Sequence, residues 1–429
     1  MNRPTISPQL VRALADEVNI KAYYQPILAL DSRMIIGYEV LGRVSCDHVV
    51  RSLGPYFTHP DVASEDQLRV DILVRKGAFA KIAQAGTETM LFINIKPSWM
   101  YQAVQQDKDF LTLRLLDTFG IDPHQIVIEI TEDSFRGSAS QLERFVDRYR
   151  EKGCLIAIDD IGTGFSNMDR IVQVRPNIIK ADINMMKKSA ANYSYFGALR
   201  SFSMLAEQIG SSFLIEGVET VDDLRRAIAI GARYVQGFLF SPAASDFQTA
   251  ERFSPIIEES MSQYRIHLLQ NERGWAVFCQ ALVDALDLSE QGSFPLLPNQ
   301  RYDELRLLAD NYLTPLLSRL NAACTCTYIC NPEGLQISSN FVHAGDQWIR
   351  KQQYQGINWC WRPHFVLSLL ARSSGKLSSL SQMYIDLETK KNVRTFSLTL
   401  RNGALLFIDI DVSAVQNERP DGFLTTSES

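Results

Sequence analysis

The side chains best suited to chemistry are carboxylates and amides that close short apolar runs. Asp159 and Asp160 are adjacent and follow the continuous apolar run 155–158, which is typical of a strand covered on both faces. Adjacent carboxylates repel one another, and a shared cation is the usual remedy. Taken alone, the pair fits an ordinary strand end with an Asx turn equally well. Other strands must therefore decide between the two interpretations.

Further polar side chains lie where other apolar runs end. They are Glu39, Arg43, Asn94, Glu129, Glu132, Lys180, Asp182, Glu216, Glu219 and Gln236. Each fits a rim ion pair when taken singly. Together, the acidic positions would form a ring that repels itself, and bound cations are the simplest way to neutralise it. All candidate ligands offer oxygen, and no His or Cys recurs among them, which favours Mg²⁺ or Mn²⁺ over Zn²⁺.

Two metal ions at this ring would suit chemistry at phosphorus. Asp159 beside Asp160 is able to hold ions about 3.5 to 4 Å apart, the arrangement used for in-line displacement. Lys180 would orient the attacking water or accept its proton, and Arg43 suits a phosphate oxygen. The residues alone thus predict metal-dependent hydrolysis of a phosphodiester or a phosphomonoester.

The elements that must position these residues alternate between strand and helix. Predicted strands are 22–30, 34–41, 91–95, 126–130, 155–158, 177–180, 213–215 and 234–235, and the predicted helices are 7–20, 64–85, 108–119, 138–152, 192–210 and 220–230. Eight strands over roughly 230 residues favour a closed (β/α)8 barrel over an open doubly wound sheet. The short link 31–33 makes the first two strands a hairpin, so the first strand runs antiparallel. Reactive groups of such a barrel lie at the carboxyl ends of its strands.

Beyond the barrel, the pattern changes. We expect a barrel at 1–248, connecting helices at 249–298, an α+β domain with an antiparallel sheet at 299–415, and a disordered tail at 416–429. The segment 247–288 predicts one or two long helices, a connector or a dimer stalk, and 301–320 predicts another helix. Predicted strands of the second domain are 326–330, 335–338, 382–386, 395–400 and 404–411.

Composition and net charge indicate which binding partners and which cellular compartment to expect. The net charge of −6 argues against nucleic acid as a partner. We expect a cytoplasmic protein, because no signal peptide and no apolar run long enough for a membrane span is found. The seven cysteines are expected to be reduced thiols.

The ordered motifs resemble a known family. They are Glu39-Val-Leu-Gly-Arg43, Asn94 with Pro97, Glu129-Ile-Thr-Glu132, Asp159-Asp-Ile-Gly-Thr-Gly-Phe-Ser166, Ile179-Lys-Ala-Asp182, Glu216-Gly-Val-Glu219 and Gln236-Gly-Phe. In their order and spacing, they resemble the EAL-domain phosphodiesterases, which hydrolyse the bacterial second messenger cyclic di-GMP to linear pGpG. The resemblance covers about residues 20–245.

The resemblance implies a role for each matching residue. Glu39, Asn94, Glu129 and Asp159 match ligands of a first metal, Asp159, Asp160 and Glu216 match the second metal site, and Lys180 is the catalytic lysine. Substrate contacts would come from Gln25, Leu41, Arg43, Asp182 and Gln236, and Glu132 and Glu219 would stabilise loops. In this family, the loop after Asp160 couples dimer contacts to metal binding, so a homodimer is expected.

Departures from the family pattern remove no oxygen ligand. Ile161 stands where the family has phenylalanine, Val44 where it often has tryptophan, and Lys96 where it has serine. Val40, Gly42 and Ala181 also differ. These changes bear on turnover rate more than on metal binding.

The C-terminal part is similar to the PAS/Cache-like sensory domain that follows some EAL domains, through residues 356–365 and the strands from 382 to 411. Trp359, Trp361 and Arg362 fit either packing between a helix and a sheet or a ligand pocket, and His364 fits a structural role. The domain would receive an unidentified small-molecule or protein input. Two functions follow from the resemblance: a metal-dependent cyclic di-GMP phosphodiesterase, or a catalytically silent cyclic di-GMP receptor that signals through a protein partner.

Overall fold

The computed structural model describes residues 14, 16–46, 49–96, 110–131, 139–161, 167–286, 302–401 and 403–417. The chain divides into two compact units, Met1–Ile266 and His267–Ser429. In the described parts of the chain, no helix combines the length and the apolar character needed to cross a bilayer.

The first unit is a closed mixed barrel. Its strands are β1 Ile20–Ala29, β2 Ile35–Cys46, β3 Val49–Ser52, β4 Met90–Ile95, β5 Ile126–Thr131, β6 Leu155–Ile161, β7 Ile178–Ala181, β8 Ser212–Ile215 and β9 Tyr234–Gln236. Strand β1 pairs antiparallel with both β2 and β9, which closes the barrel, while the pairs from β2 and β4 round to β8 and β9 are parallel. The predicted eight-stranded barrel with an antiparallel first strand is confirmed. Strand β3 adds to β2 outside the barrel and was not predicted.

Helices follow most barrel strands. They are Gly54–Thr58, Ser64–Ala85, Leu111–Phe119, Ala139–Lys152, Asn167–Val174, Ile183–Ala191, Tyr193–Gln208 and Val221–Ile230. The helices Asn167–Val174 and Ile183–Ala191 were not predicted, since each is short and follows a strand end rich in polar groups. The predicted helix 7–20 lies largely outside the described residues. Its end is wrong, because Glu17–Asn19 form a 3₁₀ turn and Ile20 begins β1.

The barrel interior is filled by one apolar layer. Its buried members are Ile27, Phe92, Val127, Ala157, Ile178 and Leu214. At Gly37 of β2, an added Cβ would lie 2.7 Å from the Met90 carbonyl oxygen and 2.9 Å from the Phe92 ring, so this inward position needs glycine. Because side chains alternate along a strand, the next inward positions lie two residues away and face the mouth of the barrel.

The second unit contains an antiparallel sheet. Its strands are β10 Cys324–Cys330, β11 Asn340–Ala344, β12 Gln347–Lys351, β13 Ser378–Leu380, β14 Tyr384–Ile385, β15 Asn392–Thr399 and β16 Leu405–Asp411. They follow the order β12-β11-β10-β16-β15-β13, with β14 also on β15. The predicted α+β domain with an antiparallel sheet is confirmed.

Helices cover both faces of this sheet. Residues from Ser254–Leu286 and Tyr302–Leu313 pack on one face together with Ile329, Phe396 and Ile408. Helix Pro363–Ser373 covers the other face through Phe365, which packs against Phe407. The predicted segment 247–288 is one helix of 33 residues.

Two predicted strands of the second unit are corrected. Residues 335–338 form no strand, because Leu335 and Gln336 make only isolated bridges, and the backbone N–H of Gln336 donates to the Ile357 carbonyl oxygen in a loop. The predicted strand 382–386 shrinks to Tyr384–Ile385. Strands β11, β12 and β13 were missed because their half-exposed side chains give no apolar run. The predicted tail 416–429 lies almost entirely outside the described residues.

Candidate active site

A buried lysine lies at the centre of the barrel mouth. The Nζ atom of Lys180 is 2.6 Å from Glu129 Oε1, 2.7 Å from Glu216 Oε1 and 3.3 Å from Asp159 Oδ1. Lys180 and Glu129 are both fully buried. One ammonium on β7 therefore holds together three carboxylates, from β5, from β6 and from the residue that follows β8.

The two-residue period of the strands explains this convergence. Asn94, Glu129, Asp159, Lys180 and Glu216 each lie two positions beyond the interior residues Phe92, Val127, Ala157, Ile178 and Leu214. These residues belong to the adjacent parallel strands β4 to β8 or, for Glu216, follow β8 directly. The apolar layer thus serves as a floor, and the polar residues form the next layer above it.

A bulge at the end of β6 explains how two consecutive aspartates serve one site. The pairing of β6 with β7 shifts between Ile158, opposite Ile179, and Ile161, opposite Ala181, which gives β6 one extra residue. Asp160 adopts a left-handed φ of 61°, which is uncommon for a residue with a side chain. Its backbone N–H donates to Asp159 Oδ1 over 2.9 Å. Local strain of this kind persists where the surrounding structure enforces it, often at functional sites.

Glu39 is held from both sides. Asn94 Nδ2 donates to Glu39 Oε1 over 2.9 Å, and Gln236 Nε2 donates to Glu39 Oε2 over 2.7 Å. Gln236, which the sequence suggested as a substrate contact, is buried and orients this carboxylate. Because the side-chain Nδ2 of Asn94 points to Glu39, the side-chain Oδ1 of Asn94 remains available as a ligand.

The electrostatics of the site favour bound cations. Burial raises the pKa of Glu129 well above its ordinary value, and burial also raises the pKa of Glu216 to about 8, although Lys180 opposes both increases. Burial and the charge of Asp159 raise the pKa of Asp160 to about 6. Burial alone would lower the pKa of Lys180, but Asp159, Glu129, Glu216 and Glu39 raise it well above its ordinary value. Lys180 therefore remains protonated, but its single positive charge is too small to neutralise the carboxylates around it.

The donor set fits divalent metal ions. One carboxylate oxygen each from Asp159, Asp160 and Glu216 lie within 4.8 Å of one another. Three further oxygen donors border this cluster. Glu129 contacts Lys180, the charge of Glu39 acts on Glu129, and Asn94 donates a hydrogen bond to Glu39. All six residues offer oxygen, and hard divalent cations prefer oxygen.

Other predicted site residues have different surroundings. Gln25 pairs across the strands with Glu39, and its Nε2 donates to the Ser241 carbonyl oxygen over 3.4 Å. Asp182 caps the helix Ile183–Ala191 by accepting from the Asn184 N–H, and its charge also raises the pKa of Asp160. Glu219 is exposed and pairs with Lys187 over 3.1 Å.

The second strand presents the remaining predicted contacts. Leu41 and Arg43 are half-buried, and Arg43 donates to the Gly42 carbonyl oxygen and lies over the Tyr23 ring at 5.9 Å. Glu132, the loop 162–166 and Pro97 lie outside the described residues, so the predicted loop-stabilising role of Glu132 stays a prediction. Ile161 is fully buried where it rejoins the pairing with β7.

Sequence reasoning missed a buried arginine behind Asn94. Arg75 forms an ion pair with Asp71, donates to Thr112 Oγ1 over 2.6 Å, and reaches the Asn94 carbonyl oxygen over 3.3 Å. The available signal was a basic residue on the apolar stripe of the helix Ser64–Ala85, one turn after an acidic one.

Comparisons with known proteins agree with this geometry. The chain matches the family model described as EAL domain over residues 8–243 and the model described as EAL-domain associated signalling protein domain over residues 299–419. It is 30% identical over 411 residues to the uncharacterized EAL-domain containing protein YkuI of Bacillus subtilis (strain 168), covering 95% of this chain and 97% of that protein. The cyclic di-GMP phosphodiesterase RocR of Pseudomonas aeruginosa is 32% identical over 239 residues, which cover 54% of this chain and 59% of RocR.

A crystal structure of Bacillus subtilis YkuI is also similar in three dimensions. That protein was solved in complex with substrate c-di-GMP and calcium. The TM-score is 0.83 at 29% sequence identity, and the match covers 95% of this chain and 100% of the YkuI chain. The similarity therefore extends over both units of the chain.

Proposed function

The chain belongs to the EAL domain family and carries the EAL-domain associated signalling domain, and from this premise we propose that it hydrolyses cyclic di-GMP to linear pGpG. The observation that carries the proposal is the complete ring of oxygen donors around Lys180. RocR, a relative that matches the barrel part of the chain, is a cyclic di-GMP phosphodiesterase, and the YkuI crystal contains c-di-GMP. A silent receptor would be expected to have lost some of these ligands, and none is lost in this chain.

We further propose that the ring holds two divalent metal ions, Mg²⁺ or Mn²⁺. Glu39, Asn94, Glu129 and Asp159 would hold the first ion, and Asp159, Asp160 and Glu216 the second. Bound metal would lower the pKa of a coordinated water and neutralise charge on the phosphate. The strained backbone at Asp160 supports this assignment, because the bulge brings its carboxylate to the same site as that of Asp159.

Lys180 serves in this scheme as a donor that positions oxygen atoms. Its carboxylate neighbours keep it protonated, so its N–H groups are suited to hold a water or a phosphate oxygen. Of the two roles considered for this lysine, orienting the water is therefore favoured over accepting its proton. Arg43 is half-buried, and its charge interacts with that of Glu39. Its guanidinium is suited to bind a nonbridging phosphate oxygen.

The two units suggest a regulated enzyme. We propose that the barrel domain at 1–248 is controlled by the C-terminal domain at 299–415, that segment 249–298 connects them, and that the active form is a homodimer. The match of residues 299–419 to an associated signalling domain supports the regulatory part of this proposal.

Product analysis tests the proposed activity. The purified full chain is incubated with cyclic di-GMP and Mn²⁺ or Mg²⁺, and the nucleotides are separated by chromatography. We expect pGpG from the wild type and a loss of at least 100-fold for Glu39→Ala and Lys180→Ala, because each removes a group from the ring. Glu207→Gln, an exposed carboxylate on the helix Tyr193–Gln208, is the matched control and should keep full activity.

Tight binding of cyclic di-GMP without any pGpG would reject the enzyme and leave the receptor as the function. A truncated chain that ends near residue 250 separates the two ideas further if its folding is first verified by circular dichroism. Turnover by that fragment but not by the full chain would mean that the C-terminal domain holds the enzyme in a silent form.

A further inference from the structure

The C-terminal unit contains a polar and aromatic cluster that the proposed hydrolysis does not use. It lies on the sheet face beside the helix Pro363–Ser373, and its two charged ends are Asp409 on β16 and Arg362 just before that helix. Six aromatic rings join these ends. These rings form the aromatic patch, which consists of Trp361, Trp359, Tyr328, Phe407, His364 and Tyr384.

Asp409 presents one carboxylate oxygen without a partner. Its Oδ1 accepts from Thr395 Oγ1 over 2.7 Å and from the Tyr384 hydroxyl over 3.4 Å. Asp409 is partly exposed, and no donor to Oδ2 is found among the residues that the structure describes. Oδ2 is therefore open to a donor or a cation supplied by a bound molecule.

Neighbouring charge makes this end suited to a cation. Burial raises the pKa of the Asp409 carboxyl to about 6, and the nearby carboxylate of Asp386 adds to the increase. On the opposite strand, Cys326 pairs with Asp409 and contributes a thiol without charge, since burial raises its pKa. A protonated amine would satisfy Oδ2 and reduce the repulsion between the two carboxylates.

Arg362 forms the other end. Its guanidinium lies 4.7 Å from the centre of the Trp361 ring and 5.6 Å from that of Trp359. Within the described parts of the chain, no carboxylate pairs with it. Trp359 is itself fixed, because its Nε1 donates to Gln336 Oε1 over 2.7 Å. The guanidinium is thus stacked and oriented while its N–H groups lack an anion, which suits a carboxylate bound through two hydrogen bonds.

The two ends are near one another but do not form an ion pair. The positive charge of Arg362 acts on three groups of the patch: it opposes the rise that burial causes in the pKa of Asp409 and of Tyr384, and it adds to the effect of burial in lowering the pKa of His364. Between them, the Tyr328 and Phe407 rings stack at 5.2 Å, and His364 stacks on Tyr384 at 5.9 Å. Trp361, at the Arg362 end, is 66% exposed, so this end opens toward solvent.

We propose that the aromatic patch binds a small zwitterion, with its ammonium group on Asp409 and its carboxylate on Arg362. The rings supply apolar contact for the carbon skeleton that joins the two charged groups. An α-amino acid is the simplest molecule of this class. The site does not depend on the proposed hydrolysis, and it gives a chemical identity to the input of the C-terminal domain.

Binding to the full chain tests the proposal. The twenty L-amino acids and O-phosphoethanolamine are titrated one at a time into the full chain. Binding is measured by the tryptophan fluorescence of the protein and by calorimetry. Trp359 and Trp361, two of the five tryptophans of the chain, contact Arg362, so binding at this site should change part of the fluorescence. We expect at least one amino acid to bind, and its N-acetyl and carboxamide derivatives to bind about tenfold more weakly or worse, because each loses one charged contact. Binding of O-phosphoethanolamine alone would identify a phosphate instead of a carboxylate at Arg362.

Variants of the two ends connect the binding to this site. Arg362→Met and Asp409→Asn should each weaken binding at least tenfold, whereas Arg401→Met and Asp346→Asn, at exposed positions of the same unit, should leave it unchanged. If a variant does not fold, Arg362→Lys and Asp409→Glu replace it and should still weaken binding. The proposal is overturned if no probe binds at millimolar concentration. It is also overturned if a probe binds the Arg362 variant and the Asp409 variant as tightly as it binds the wild type.

Discussion

Replacing the central lysine gives the sharpest test of the site's electrostatics. Lys180 is fully buried and touches Glu129, Glu216 and Asp159, with nitrogen to oxygen distances of 2.6, 2.7 and 3.3 Å. Lys180→Met keeps the length of the side chain but removes its charge. Leaving a buried charge without its partner costs about 3 to 5 kcal/mol, and a unit of this size loses roughly 2 to 4 °C of Tm per kcal/mol. We therefore expect Tm to fall by about 10 °C in EDTA.

Added metal should reverse this loss. In the wild type, the ammonium occupies the oxygen atoms that would hold the ions, so Lys180→Met removes a competitor. A ligand at about 100 times its Kd stabilises a protein by about 2.7 kcal/mol, and tighter binding raises this value. Saturating Mn²⁺ should accordingly raise Tm more in Lys180→Met than in the wild type, while hydrolysis remains absent.

Calorimetric unfolding of the full chain in EDTA and in Mn²⁺ measures both effects. Lys187→Met is the matched control, since Lys187 is half exposed and pairs with Glu219 over 3.1 Å at the surface, and its loss should cost less than about 1 kcal/mol. The reasoning is refuted if Lys180→Met melts together with the wild type in EDTA, or if Mn²⁺ stabilises it less than it stabilises the wild type.

Three further predictions concern backbone and burial. Asp160→Gly relieves the left-handed φ of 61° and should raise stability in EDTA by about 1 kcal/mol while lowering activity at least 100-fold; a lower Tm in EDTA would contradict this. Gly37→Ala forces a Cβ against Met90 and should cost about 1 to 3 kcal/mol in urea unfolding, whereas Gly197→Ala, in open space on a helix, should cost nothing; equal midpoints would contradict this. Asp409 has a folded-state pKa of about 6, above its ordinary 3.8, so its protonation favours the folded state and its contribution falls as pH rises through 6. Asp409→Asn should therefore be more stable than the wild type at pH 7 by at most about 3 kcal/mol. In thermal melts, this difference in stability should narrow toward pH 4. A difference that stays constant with pH would refute the burial argument.

The barrel could be predicted because its strands are apolar runs that end in polar residues. Strand β6 illustrates this: residues 156–158 of the apolar run are buried, and Asp159 follows at the rim. Because side chains alternate along each strand, Glu129 and Lys180 both lie two residues beyond an interior apolar residue and so share one layer. Short elements with mixed surfaces, such as β12 and the helix Ile183–Ala191, carry no such pattern and depend on contacts with distant parts of the chain.

The internal arrangement of the site was harder to predict. The bulge between Ile158 and Ile161 arises from pairing with β7, and a left-handed Asp160 has no local sequence signal. The family resemblance assigned Gln236 to the substrate, which stays a prediction, and gave no sign of its contact with Glu39, which depends on closure of the barrel through β1 and β9. Arg75 was missed for a related reason, because its bond to the Asn94 carbonyl oxygen joins elements that are separate in sequence.

The most direct test of the central claim is hydrolysis of cyclic di-GMP by the full chain in ¹⁸O-labelled water with Mn²⁺. If the ring around Lys180 activates water for attack at phosphorus, mass spectrometry will find linear pGpG with a single ¹⁸O atom in its new terminal phosphate, and none will form in EDTA. Recovery of intact cyclic di-GMP from a complex that binds it tightly in Mn²⁺ would contradict the account and identify the barrel as a receptor.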